Sequence, residues 1–119
     1  TSPYTFEECS FGVFVNNLVY FDRSFLSTSV NIGPNTASET FTFANNLWYA
    51  YDNPSQSQPT LPVTETDGIY GFDPLFTIDY RVSGASPAMA AGVNTAWTWG
   101  DLCGSCFADR PTIGAHEAR

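Results

Sequence analysis

Lysine does not occur anywhere in the 119-residue chain, and its four cations, Arg23, Arg81, Arg110 and Arg119, are scattered along it. Against twelve acidic residues they leave a net charge of −8. No cluster of cations is available to neutralise phosphates, which excludes nucleic acid as a partner. Anionic polymers are repelled as well, unless a divalent cation bridges them to the acidic groups. Charged residues of both signs make up only 13% of the chain, about half the usual share, so the surface must be built from Ser, Thr, Asn and Gly. No apolar run approaches the ~20 residues of a membrane span, and no charged segment followed by a hydrophobic stretch marks an export signal. Membrane insertion is therefore not expected. Helical periodicity is missing too, because no window of a dozen residues holds an apolar stripe at helical spacing.

Three cysteines, Cys9, Cys103 and Cys106, cannot all pair within one copy of the chain. The odd count leaves a free thiol, a partner cysteine elsewhere, or a missing piece of the same protein. Low charge and abundant Ser, Thr and Asn point to an exported protein, extracellular or on a cell surface. In that setting Cys103 and Cys106 are expected to form a small local disulfide, with Cys9 buried as a small apolar residue. Phe107 stands where haem attachment would need His. A zinc site would have to recruit Cys9 and His116 from far apart.

What the chain does have is internal similarity. The stretch "FVNNLVYF" (14–21) recurs as "FANNLWYA" (43–50), 29 residues later. A weaker third copy is read in "GFDPLF" (71–76), which aligns Asn16, Asn45 and Asp73, then Leu18, Leu47 and Leu75, then Val19, Trp48 and Phe76. Apolar and polar residues alternate in "ETFTFAN" (39–45), and Pro, Gly, Asn and Ser punctuate the intervals. The expectation is all-β. Asn tolerates left-handed backbone angles, and its amide can bond to an identical amide above or below, so Asn at one position of successive units suits a stacked turn. The pattern predicts a solenoid of similar rungs; the competing reading is a β-sandwich with a coincidental echo.

The motifs "GFDPLF", "DYRV", "SGASPAMAAG" and "RPTIGAHE", in that order, resemble the closing segment of secreted bacterial right-handed parallel β-helix proteins of the pectate-lyase-like type. The matches are Asp73 to Phe76, Asp79 to Val82, Ser86 to Ala88 with Ala91 and Gly92, and Ile113 to Glu117. Ala90 departs from the family's Asp, and "SCFAD" interrupts its Asp-x-x-Gly-x-x-Arg segment. The resemblance implies the last two or three rungs of a right-handed parallel β-helix over residues 1–82, with a loop excursion at 52–68, and a C-terminal cap over 83–119. Such units need neighbours to bury their faces. The expected partners are N-terminal rungs of the same protein, a companion chain, or self-stacking copies.

β-Helix enzymes of this resemblance act on acidic polysaccharides, which requires a base with a cation, or two spaced carboxylates. Arg23 and Asp52 are the weak catalytic candidates, with Asp22 beside them. They fall at one position of the 29-residue register, where stacked strands lie about 4.8 Å apart. The plainer reading is an ion pair between neighbouring rungs. Asp79, Arg81 and His116 are read as turn or solvated strand residues. No catalytic set is visible. For carbohydrate binding, Tyr49, Tyr51, Trp97 and Trp99 offer flat aromatic faces. Asp67, Asp73 and Asp79 could supply oxygen ligands to Ca²⁺, although their spacing fits no known loop; no other cofactor is expected. These readings converge on a structural or adhesive surface module that stacks on another chain, segment or copy. The alternative is a polysaccharide-binding or polysaccharide-cleaving protein whose groove lies largely outside this chain.

Overall fold

The computed structural model describes residues 8–26, 30, 32–95, 100, 104, 106 and 108–118. Five short strands form in chain order: β1 (Val13–Val15), β2 (Leu18–Phe21), β3 (Thr42–Ala44), β4 (Leu47–Ala50) and β5 (Ile69–Tyr70). Single 3₁₀ turns span Ser38–Thr40, Pro54–Gln56 and Ile78–Tyr80. β1 pairs with β3, and β2, β4 and β5 form a second sheet in that order, with every pair parallel.

The 29-residue register is real. Phe14 lies opposite Phe43, Leu18 opposite Leu47, and Tyr20 opposite Tyr49. The chain turns from one sheet to the other at Asn16 (φ 59°) and again at Asn45 (φ 52°), the left-handed region that Asn enters more readily than most residues. The third layer is not "GFDPLF". Leu47 pairs with Ile69 and Trp48 with Tyr70, and the third left-handed corner is Asp67 (φ 53°). Its neighbour has to be small: a Cβ on Gly68 would run into the Tyr70 hydroxyl and the Glu65 carboxylate. "GFDPLF" is instead a turn, in which Asp73 accepts the Leu75 N–H at 2.8 Å and Phe76 makes an antiparallel bridge to Val82.

The expected right-handed parallel β-helix with a C-terminal cap is therefore corrected to an all-β-leaning fold of two short parallel sheets. A solenoid needs successive coils that close around a shared interior. Among the described residues the strands are two to four residues long, and no coil closure is formed.

Polar bonds under the corners hold the layers in register. Asn46 is fully buried. Its Oδ1 accepts from the Asn17 backbone N–H (2.9 Å) and from Asn17 Nδ2 (3.1 Å) in the layer on one side. Its Nδ2 donates to the Phe14 carbonyl (2.9 Å) and to Glu65 Oε2 (2.6 Å). Glu65 Oε2 also receives the Asn46 backbone N–H (3.2 Å), while Oε1 receives Trp48 Nε1–H (3.0 Å) and the Tyr70 hydroxyl (2.9 Å). The loop at 52–68 thus returns a carboxylate to the position that a third Asn amide would hold.

Side chains alternate along β2 and β4, so each sheet face has its own partner. Leu18, Leu47 and Ile69 lie against Val82, Ala88 and Ile113 from the C-terminal segment. Val19 and Trp48 share the other face with Phe14 and Phe43, whose rings lie 5.7 Å apart, and Trp48 stacks on Phe14 at 5.9 Å. The C-terminal segment is pinned at the corners. Asn16 Nδ2 donates to the Val93 carbonyl and its Oδ1 accepts the Val93 N–H, at 2.7 and 2.8 Å. Asn45 Nδ2 donates to the Ala91 carbonyl at 3.0 Å. Gly92 permits this approach, since a Cβ there would lie 2.8 Å from the Pro111 carbonyl and 2.9 Å from Asn16 Oδ1.

Two outcomes are expected. Asn46→Ala strands the Asn17 N–H and the Phe14 carbonyl and leaves Glu65 Oε2 only the Asn46 backbone N–H, and should lower stability by about 2–4 kcal/mol, since each buried group left unpaired costs about 1–3; the urea unfolding midpoint measures it. Burial, and then the bond to Glu65, push the Tyr70 phenol up to about 12. Its folded-state value lies above the unfolded one of about 10, so its contribution is intact below pH ~10 and is lost as pH rises toward 12. Tyr70→Phe should remove that part of the alkaline loss, seen by comparing urea unfolding at pH 9 and 11.

Candidate functional site

The Tyr20 and Tyr49 pair begins an aromatic surface. They follow Leu18 and Leu47 on the same face of β2 and β4, with Tyr49 half-buried against the leucine core, and their rings lie 5.6 Å apart. Tyr51, just past β4, stacks on Tyr20 at 5.1 Å with an interplanar angle of 21°. The turn after Asp73 brings Phe76 to 5.2 Å from Tyr20, and Tyr80 meets Phe76 edge-on at 5.6 Å. Tyr20 is 46% exposed, Tyr51 48% and Tyr80 80%. The rings therefore brace one another while keeping open faces.

A polar rim borders the platform. Asp52 Oδ1 accepts the Arg23 backbone N–H (2.7 Å) and its Oδ2 the Ser24 N–H (3.1 Å). Asp22 Oδ1 accepts the Ser24 N–H (2.9 Å) and hydroxyl (2.6 Å), and its Oδ2 accepts the Tyr51 hydroxyl (3.1 Å). The Ser24 hydroxyl, chiefly, holds the Asp22 carboxyl below its ordinary value. The bond to Asp22 raises the Tyr51 phenol, and burial, followed by the charge of Asp73, raises Tyr49. At neutral pH Asp22 is ionised and both phenols keep their protons, so the rim combines anionic acceptors with hydroxyl donors.

Of the residues expected to act together, Arg23 and Asp52 do meet, one layer apart. The contact runs through the Arg23 backbone, and the expected ion pair does not form. From the turn after β2 the Arg23 side chain lies with Val19 and Phe21, which alternate to the face opposite Tyr20. There its Nη1 is buried without a hydrogen-bond partner among the described residues, in a recess with Leu26 and Trp48. An unpaired buried donor of this kind costs about 1–3 kcal/mol.

Tyr49 and Tyr51 both belong to the platform; Trp97, Trp99 and Cys103 lie outside the described residues. Asp67 is a corner residue, Asp73 braces its own turn, and Asp79 sits in a 3₁₀ turn at φ 58°. Among the described residues no three His, Cys, Asp or Glu side chains converge as a metal site. Cys9 is exposed rather than buried, and both Cys9 and Cys106 carry free, exposed thiols. His116, read as a solvated strand residue, is buried at 9% exposure.

Tyr20, Phe76 and Tyr80 were not among the expected binding residues. Tyr20 was legible, since the 29-residue register sets it over Tyr49. Phe76 and Tyr80 carry no such signal, because the turn after Pro74 aims them. Glu65 was hidden in a Pro- and Thr-rich stretch; its only local mark is the Asp-Gly corner that follows.

No model of a known protein family matches the chain, and neither does any curated protein or solved structure. Nothing beyond its own motifs ties it to the pectate-lyase-like proteins.

Proposed function

We propose that this chain is a non-catalytic adhesive module whose tyrosine face binds a neutral glycan. The observation that carries the reading is the pair of exposed rings, Tyr20 and Tyr51, braced by half-buried Tyr49 and Phe76 beside Asp22 and Asp52. An amphipathic ring offers an apolar face to the C–H side of a sugar and a hydroxyl to its rim, and carboxylates accept from sugar hydroxyls. A net charge of −8 disfavours polyuronates and favours an uncharged chain. Support for binding over cleavage comes from the carboxylates. Asp22 and Asp52 accept from the same Ser24 N–H, closer than the ~6.5–9.5 Å of an inverting hydrolase, and the oxygen that a retaining enzyme would use as nucleophile is held by a backbone, Ser24 or Tyr51 donor. Their oxygens are also engaged in holding the turn.

The test is calorimetric titration with neutral oligosaccharides such as cellohexaose and laminarihexaose, alongside a uronate oligomer. One of the neutral sugars should bind, and Tyr20→Ala and Tyr51→Ala should each weaken it by about 3- to 10-fold, the worth of one aromatic contact. Tyr51→Phe keeps the ring and should retain most of the affinity. Binding of none of these sugars, or binding that ignores both alanine variants, rejects the reading.

A second reading rests on the strand edges. Among the described residues β1 and β2 each end a sheet, and Phe11 and Val13 are 77% and 53% exposed beside that edge. Open edges template pairing, so this edge would receive a strand from another chain or another copy. Light scattering across a concentration series should then show mass growth that Val13→Lys suppresses. A constant monomer mass, with no companion chain in native mass spectrometry of material from its source, counts against it.

A further inference from the structure

Next to the tyrosine platform, the 75–83 hairpin and the C-terminal segment enclose a cleft of about 680 Å³, whose walls include Tyr20, Phe76, Tyr80, Asn17, Val82 and His116. That volume falls in the range of small-molecule sites. Its three rings do not share a plane. Phe76 is tilted 59° from Tyr20 at a centroid distance of 5.2 Å, and Tyr80 stands at 89° to Phe76 at 5.6 Å. The cleft thus has aromatic walls in three orientations, whereas the flat side of a sugar calls for rings in one plane. Among the described residues no Asp, Glu, Lys or Arg side chain lines it, and Arg81, although next to Tyr80 in the chain, is not part of the wall.

Strained backbone holds this arrangement. Leu75, Asp79 and Tyr80 all adopt left-handed angles, φ 55°, 58° and 58°, a region that bulky side chains rarely enter. The hairpin enforces them: Phe76 bridges Val82, the Thr77 N–H donates to the Arg81 carbonyl at 2.6 Å, and the Ser83 N–H donates to the Leu75 carbonyl at 3.3 Å. Strain of this kind persists where surrounding contacts over-determine it, and it collects at ligand sites. Here it keeps Tyr80 80% exposed while its ring meets Phe76 edge-on.

We propose that the cleft binds a quaternary ammonium group of the trimethylammonium type. Aromatic faces attract a cation through their negative π clouds. A primary ammonium or a metal ion would need acceptors in place of its water, and no carboxylate lines the cleft to supply them. A quaternary ammonium has no N–H to satisfy, and its methyl groups pack against rings on several sides. The net charge of −8, with Asp73 and Asp79 in the adjoining turns, attracts cations and repels anions. Tyr20 is shared with the glycan platform, yet the proposal does not rest on the glycan reading, because Tyr80 lines the cleft and Tyr51 does not.

The experiment titrates the 119-residue chain with choline, its uncharged carbon isostere 3,3-dimethylbutan-1-ol, and ethanolammonium, at neutral pH and constant ionic strength. Calorimetry and the upfield ring-current shift of the ligand methyl signals read it. Choline should bind about 5- to 30-fold tighter than either of the others, the worth of cation–π contacts with two or more rings. Tyr80→Leu, at an exposed position, should cut that preference by about threefold or more, and Tyr80→Phe should keep it. Sedimentation with phosphatidylcholine vesicles, reversed by free choline, would identify a lipid head group as the source of the ligand; choline binding without sedimentation identifies a free small molecule. Equal affinity of the wild-type protein for choline and its isostere overturns the proposal, and that comparison needs no variant to fold. Ethanolammonium binding as tightly as choline overturns it too, since that marks a general attraction of cations to an acidic chain. An undiminished preference in a folded Tyr80→Leu protein, or no methyl shift up to about 10 mM choline, does the same. Failure of the oligosaccharides to bind touches only the glycan reading.

Discussion

A carboxylate saturated by donors from two layers is the interaction on which the other contacts depend. Glu65 takes the side-chain and backbone N–H groups of Asn46, the indole N–H of Trp48 and the Tyr70 hydroxyl. Withdrawing a carboxylate even partly from water is costly unless its lone pairs are filled, and four donors fill those of the half-buried Glu65. Asn46 relays the connection to Asn17 and to the Phe14 carbonyl, so one chain of bonds crosses all three layers. Register follows from it. A slip by one residue would strand these buried groups and exchange the two faces of every strand.

Fixed register gives the sheet two chemically distinct sides. On one, Leu18, Leu47 and Ile69 receive the C-terminal segment, and the same face continues as Tyr49, half-buried against that core, and the exposed Tyr20. The tyrosine platform is thus an extension of the core, its rings held by the register that packs the leucines. On the other side Phe14, Phe43 and Trp48 line an apolar groove, and Arg23 lies in a separate recess with Phe21, Leu26 and Trp48. Asn16 and Asn45 add a second task at the corners. Their left-handed backbones turn the chain, and their amides tie down Val93 and Ala91, so turn and cover are fixed by the same side chains.

The strand content, the 29-residue spacing of the first two layers, the Asn corners and the alternation of faces were set by residue type alone. They are local or pairwise properties: Asn enters the left-handed region at low cost, and a period of two assigns each side chain to a face. Tyr49 and Tyr51 could be named from the sequence for the same reason, and Asp52 could be placed beside Arg23. The rest belongs to the tertiary structure. Only three-dimensional packing identified Glu65 as the acceptor above Asn46, because a carboxylate reached through a loop can replace an amide without preserving the spacing, and the third layer is offset by 22 residues from the second, Leu47 to Ile69. Packing also made a turn of "GFDPLF" and laid the C-terminal segment along the leucine face, where motif order had suggested a cap on a coil. It decided the fate of Arg23 as well: the backbone N–H meets Asp52 while the side chain, from the turn after β2, lies in a recess with Phe21, Leu26 and Trp48, the last of which is distant in sequence.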